Sequence, residues 1–331
     1  MILSLITITA MSAQISFGGY GEVSYRNVEN DTDTFDVHRV VLYTGYDFDD
    51  TWSFNSELEF EHGDEIHVEF AQIDGNFSDA LNFRAGHLLL PMGFVNQSHE
   101  PTTFYSAKRP LLERYIIPST WHENGAGVFG SSGNLSWQAY LVNGTDDGFD
   151  IASSGLRGGR QGGEKAAAEK MAVTVRLDYQ LSSELQIGAS LYDGGTNNST
   201  NSGLDHGVQV VEAHAQYDRG PFRLRGLFAD ASIDNADQLP TNPISDETAE
   251  LGGWYLEAGY DIFSDFDNGQ SLIPFIRHEQ FDLAEQIDVD VVGISYLPNS
   301  EICFKLDFQM IESEAGSWDS DNIEFTVGWT F

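Results

Sequence analysis

The chain has 331 residues, 41% of them hydrophobic and 12% aromatic, and a mean hydropathy of -0.27. Beyond residue 13 no stretch holds the roughly 18 consecutive apolar residues of a membrane-spanning helix; a helical membrane protein is excluded, but a β-barrel, whose strands need only every second residue apolar, is not. With 52 acidic against 16 basic residues (net -36), nucleic acid is a disfavoured partner, and the single cysteine, Cys303, rules out a disulfide framework.

From the N-terminus, Ile2 to Ala13 is apolar and small, with Ala10, Ser12 and Ala13 ahead of Gln14. This is the form of an export signal's end, although no Lys or Arg precedes it. We expect a signal remnant over 1–13 and a β-barrel domain over 14–331. Alternation then dominates. Trp52, Phe54, Leu58 and Phe60 alternate with Asn55, Glu57, Glu59 and Glu61; Ile302 to Met310 and Ile323 to Phe331 alternate as regularly. Opposite polarities at period 2 mean strands. The predicted strands are 14–26, 34–47, 52–61, 66–77, 81–88, 125–130, 135–143, 171–181, 185–192, 207–217, 222–233, 251–261, 272–281, 287–297, 302–313 and 322–331. The phase is unclear in 66–77 and 287–297, where a bulge is expected to shift the faces.

Even-numbered strands are followed mostly by tight turns rich in Asp, Asn, Ser, Gly and Pro. Odd-numbered strands are often followed by long polar segments, notably 89–124, 144–170, 193–206 and 234–250. Such segregation suits an antiparallel transmembrane barrel of about sixteen strands in a bacterial outer membrane. Tyr46, Trp52, Tyr179, Tyr217, Phe222, Tyr260, Tyr296, Trp329 and Phe331 all fall beside the short-turn rim, where an interfacial aromatic girdle belongs. Gly158 to Ala168 reads as a mobile outer loop.

The segment 89–124 is too long and too apolar for a solvated tip, and is expected to fold inward as a constriction. It carries Glu100, Lys108, Arg109, Glu113 and Arg114; the wall facing it should offer Arg39, Glu57, Glu59, Arg84, Arg176, Arg223, Arg225, Arg277 and Lys305. In-strand charges are expected to face the lumen, because Arg or Lys facing lipid at mid-membrane costs about 2–4 kcal/mol. Opposed acidic and basic patches would set a transverse field that weights ions by sign. Because the overall charge is acidic, a weak cation preference is expected.

The region from Arg39 to about Gly130 resembles the phosphate-selective porin O and P family. The likeness lies in Arg39, Asp49-Asp50-Thr51-Trp52, the strand with Glu57, Glu59 and Glu61, Arg84-Ala85-Gly86-His87, Pro91-Met92-Gly93, and the loop with Glu100, Arg109, Glu113, Arg114 and Ile117-Pro118-Ser119-Thr120-Trp121. The resemblance implies a sixteen-stranded, usually trimeric diffusion channel, without settling the solute; ions and small hydrophilic solutes are expected to pass. As in general porins, the third outer loop, here 89–124, would form the constriction. The family's phosphate selectivity rests on abundant Lys and Arg, whereas this chain has 4 Lys and 12 Arg.

No catalytic residues, cofactor or metal site are expected: the nine histidines are scattered, without an HExxH arrangement. The alternative is an outer-membrane barrel hydrolase or adhesin, with His214 or His278 as a hydrolase's base. The remaining expected partners are membrane lipid and lipopolysaccharide, through acidic loop groups such as Asp146, Asp147 and Asp150, and the barrel assembly machinery, through the terminal Phe331.

Overall fold

Alternating apolar and polar residues can bury backbone hydrogen bonds in lipid only if the sheet closes on itself, and here it does. The computed structural model describes residues 14–29, 31–148, 150–197, 206–239, 247–266 and 269–331; the signal expected over 1–13 lies outside the described residues. The strands are β1 (Ile15–Val28), β2 (Thr34–Asp47), β3 (Trp52–Glu61), β4 (Glu65–Asn76), β5 (Asn82–Leu89), β6 (His122–Ser132), β7 (Leu135–Asn143) and β8 (Met171–Gln180). They continue as β9 (Leu185–Gly195), β10 (Gly207–Arg219), β11 (Phe222–Asp234), β12 (Thr248–Tyr260), β13 (Ser271–Asp282), β14 (Gln286–Asn299), β15 (Ile302–Ser313) and β16 (Ser320–Thr330). Each pairs antiparallel with its sequence neighbours, and β1 pairs with β16 to close a sixteen-stranded barrel. The last residue completes the seam: Phe331 N donates to Gly19 O, and Gly19 N to Phe331 O, both at 2.9 Å.

The long connections share the rim opposite the tight turns. On the turn rim Tyr46, Trp52, Tyr179, Phe222 and Tyr260 point outward and are exposed, and the Phe222 and Tyr260 rings meet edge to face at 5.3 Å.

The two segments of unclear phase resolve differently. In β4 the register shifts where Glu57 faces Phe70 and Leu58 faces Val68, so Glu69 is an extra residue, bulged and buried. In β14 the pairing with β13 and β15 is regular from Ile287 to Tyr296, and the register against β15 shifts only at the turn end, between Tyr296 and Asn299. Polarity reverses along the strand instead. Toward the turns Val292, Ile294 and Tyr296 face out and Ser295 faces in; toward the loops Ile287, Val289 and Val291 are buried inside, while Asp288 and Asp290 face out. At 14 residues β14 exceeds the roughly 9–11 that span a bilayer. Its loop-side part has the length to extend beyond the hydrocarbon, over an interior covered from within.

The cover is the 90–121 loop. With the short helix α1 (Leu111–Tyr115) it runs into the lumen and buries Leu90, Met92, Leu112, Ile116, Ile117 and Trp121 against the inner faces of β7 to β14, including Val142, Val210, Leu227, Ala229, Leu251, Phe281 and Val289. This is the barrel's hydrophobic core. The connection 144–170 adds Ile151, at the start of helix α2 (Ile151–Ser154), and Leu156 to it.

Candidate pore site

What the 90–121 loop hides on one side, it offers on the other. Its polar face, the 144–170 loop and the inner walls of β1 to β4, β15 and β16 enclose a cavity of about 1330 Å³ at the loop rim. On the loop side stand Lys108, Arg109, Arg114, Arg157 and Arg160; the wall supplies Glu22, Asp36, Glu59, Glu61, Glu69 and Glu324. Arg26 shields part of that wall, its Nε lying 2.8 Å from Glu324 Oε1.

The loop is clamped mainly through its backbone carbonyls. Arg39 Nη2 donates to His99 O at 2.7 Å, Arg225 Nη1 to Thr103 O at 2.9 Å, Lys305 Nζ to Ser106 O at 3.0 Å, and Arg176 Nη1 to Gly93 O at 2.5 Å. Arg277 Nη1 reaches Ser106 Oγ at 2.5 Å. Acidic wall residues take loop amides: Ala107 N donates to Asp307 Oδ2 at 2.5 Å and Leu112 N to Glu279 Oε2 at 2.9 Å. Inside the loop, Glu113 Oε2 accepts from Phe94 N and Val95 N at 2.8 and 2.9 Å, while Tyr255 OH donates to Glu113 Oε1 at 2.7 Å. Burial raises the Glu113 carboxyl above its ordinary value.

Most of the expected site residues separate into two groups. Glu59, Lys108, Arg109 and Arg114 line the cavity. Arg39, Arg176, Arg225, Arg277 and Lys305 face inward but hold the loop, and Glu113 is buried within it. Glu57 is buried and accepts from Tyr20 OH at 2.8 Å, while Glu100 accepts from Tyr43 OH at 3.0 Å. Arg84 pairs with Asp74 at 2.7 Å, and Arg223 lies at the turn rim, donating to Gly220 O at 2.6 Å.

Arg157 borders, and Arg160 lies within, the Gly-rich stretch Gly158 to Ala168 that reads as a mobile outer loop, and neither is among the residues expected from the sequence. That stretch is docked. Arg157 Nη1 donates to Ser119 O at 2.5 Å, Arg160 Nη1 to Thr120 O at 2.7 Å, and Gln161 N to Glu123 Oε1 at 2.9 Å. Burial and the nearby Arg160, Arg114 and Arg109 guanidiniums push Arg157 down to about 8, so the group stays cationic at neutral pH.

His214 and His278 are poor catalytic bases. His214 holds Glu212 at Nδ1 and Asp178 at Nε2, both at 2.9 Å. The nearby hydroxyl of Ser190 donates to Glu212, not to the imidazole. His278 is not a lumen group: it lies on the outer face beside Trp254 and pairs with Asp290 at 2.9 Å.

Comparison with known proteins agrees with this architecture. The family profile for phosphate-selective porin O and P matches residues 8–279. The chain belongs to this family. A protein of Aquifex aeolicus without an assigned function is 34% identical over 96% of the chain and 80% of its own length. Among solved structures, a loop-deletion form of the outer-membrane protein OmpT of Vibrio cholerae covers 96% of the chain and 99% of its own, at a TM-score of 0.67 and 11% identity. The anion-selective porin of Comamonas acidovorans covers 97% and 100%, at 0.64 and 11%. Salmonella typhi OmpF covers 96% and 97%, at 0.64 and 10%. This porin of the O and P family is thus a channel protein of the bacterial outer membrane.

Proposed function

We propose that the porin is a passive, non-enzymatic and weakly selective diffusion channel whose solutes cross between an acidic wall and a cationic loop face. The observation that carries this reading is the composition of the cavity lining. Eight carboxylates (Glu22, Asp36, Glu59, Glu61, Glu69, Glu164, Asp319, Glu324) stand against six cationic side chains (Arg26, Lys108, Arg109, Arg114, Arg157, Arg160). Charges lining a water-filled path act on an ion at close quarters. The near balance keeps selectivity weak, and the acidic surplus, set in a chain of net charge -36, tips it toward cations.

Phosphate selectivity, suggested by the family's description, is less well supported, because Arg39, Arg176, Arg225, Arg277 and Lys305 are engaged in holding the loop. The paired, buried state of His214 favours a non-enzymatic role. A homotrimer is part of the proposal: an in-vitro folded OmpT of Vibrio cholerae, similar in fold at a TM-score of 0.65, is described as a trimer form. The terminal Phe331, ending an outward aromatic run, is proposed as the feature that the barrel assembly machinery reads. Lipopolysaccharide is proposed to contact the acidic loop rim.

The reversal potential of the purified protein in a planar bilayer under a salt gradient tests the selectivity. A small shift toward the cation Nernst potential is expected; a strong anion preference refutes the lean and revives the phosphate reading.

A further inference from the structure

Five of the nine histidines in the chain line the cavity: His38, His62, His67, His87 and His122. Two of them converge on one carboxylate. His62 Nδ1 lies 2.9 Å from Asp36 Oδ2, and His38 Nδ1 lies 3.7 Å from the same oxygen. One donor atom from each of the three residues falls within 4.8 Å of the others. A tetrahedral ion bound at about 2.0–2.1 Å sets its ligands roughly 3.4 Å apart, so the observed spacings straddle the required one. His38 Nδ1 is buried and has no hydrogen-bond partner.

The backbone builds this cluster. Where β1 steps two residues from Glu22 to Ser24, β2 steps three, from Arg39 to Asp36. The bulge leaves Asp36 and His38 on the cavity side with Arg39 still turned inward. His62, in the β3–β4 turn, holds a left-handed φ of 52°, and its N–H donates to His38 O at 3.3 Å. That contact sets the two imidazoles side by side, their centroids 5.7 Å apart.

We propose that Asp36, His38 and His62 bind a divalent transition-metal ion of the zinc, nickel or cobalt type at the loop-side mouth of the pore. Two imidazoles with one carboxylate select such ions over magnesium and calcium, which prefer all-oxygen shells. Three protein ligands leave a position for water, as in open and exchangeable sites. Glu61, Glu65 and His67 form an adjoining set at the same turn, and the acidic mouth concentrates cations around both.

The test is calorimetric titration of zinc ion into purified full-length protein, made without a histidine tag and held in detergent with magnesium in excess. One ion per chain in the micromolar range is expected, with cobalt giving the visible absorption of a nitrogen- and oxygen-ligated site. The double variant His38→Ala with His62→Ala should weaken zinc at least about tenfold, the lower bound for disturbing a metal shell. Its heat-modifiable gel migration should stay that of a folded barrel. His278→Ala, outside the barrel, should bind as the parent does. Absence of zinc binding to the parent, unchanged affinity in a folded double variant, or an equal loss in His278→Ala overturns the site. No current is read in these measurements, so failure of the channel reading would leave their outcome intact.

Discussion

The two halves of the barrel interior solve opposite problems. The inner face of β7 to β14 is dry at loop level, where Val142, Val210, Leu227, Ala229, Leu251, Phe281 and Val289 meet the apolar side of the 90–121 loop. The inner face of β1 to β4, β15 and β16 is polar instead, with Glu22, Glu59, Glu69 and Glu324 lining the cavity while themselves little exposed. One loop creates both environments, since its apolar side satisfies the first half and its cations confront the second. The cavity lies off-centre for that reason. Its charge pattern depends on how the loop is held as much as on the wall.

Breaking the dry half should have the largest effect. Leu112→Asp places a carboxylate among buried apolar groups, and an uncompensated buried charge costs about 3–5 kcal/mol. The expected outcome is release of the loop, read as higher single-channel conductance and a lower temperature of heat-modifiable unfolding. Glu113→Ala comes next: three hydrogen bonds to Phe94 N, Val95 N and Tyr255 OH are lost, each worth about 0.5–1.5 kcal/mol, or more where the group is charged. Amide exchange at Phe94 and Val95 should accelerate.

Glu113→Gln should keep most of this protection while changing its pH dependence. The native carboxyl sits above its unfolded value because burial penalises the charge. Its contribution is therefore complete below the unfolded pKa of about 4.3 and is lost as pH rises through the folded value. Stability measured across that window should fall in the parent and be flatter in the glutamine variant.

In the polar half the expected effects are smaller, because water screens the charges. A charge at about 10 Å in water is worth about 0.4 kcal/mol, a factor of about two in relative permeability. Lys108→Glu should move the reversal potential toward cations, and Glu61→Gln should move it toward anions. Both shifts should shrink as salt rises.

Much of the barrel was legible because lipid enforces alternation. Ile302 to Met310 and Ile323 to Phe331 read as strands since their outward residues face lipid while Lys305, Asp307, Glu324 and Thr326 are turned inward. The inward path of the 90–121 loop was legible from its apolar content. The separation of clamps from free charges was not. Arg39, Arg225 and Lys305 bond backbone carbonyls, a partner that no sequence pattern announces. The histidine cluster was hidden for a similar reason: Asp36 and His38 reach His62 only through a bulge and a left-handed turn residue.

The outer face of β14 sharpens the comparison where the effect should be smallest. Asp288 and Asp290 face outward at the height where Val289 and Val291 face the dry interior. If polarity reverses because the strand has left the hydrocarbon, Asp290→Leu moves a side chain from water to water. Stability should then change by no more than about 0.5 kcal/mol, as for ordinary surface substitutions, and conductance should not change. Loss of the His278 contact at 2.9 Å belongs in that range, since the pair is exposed. A stabilisation well beyond it would mean that Asp290 lies in lipid, where removing a charge is favourable. The dry half would then owe its apolar lining to something other than the covering loop alone.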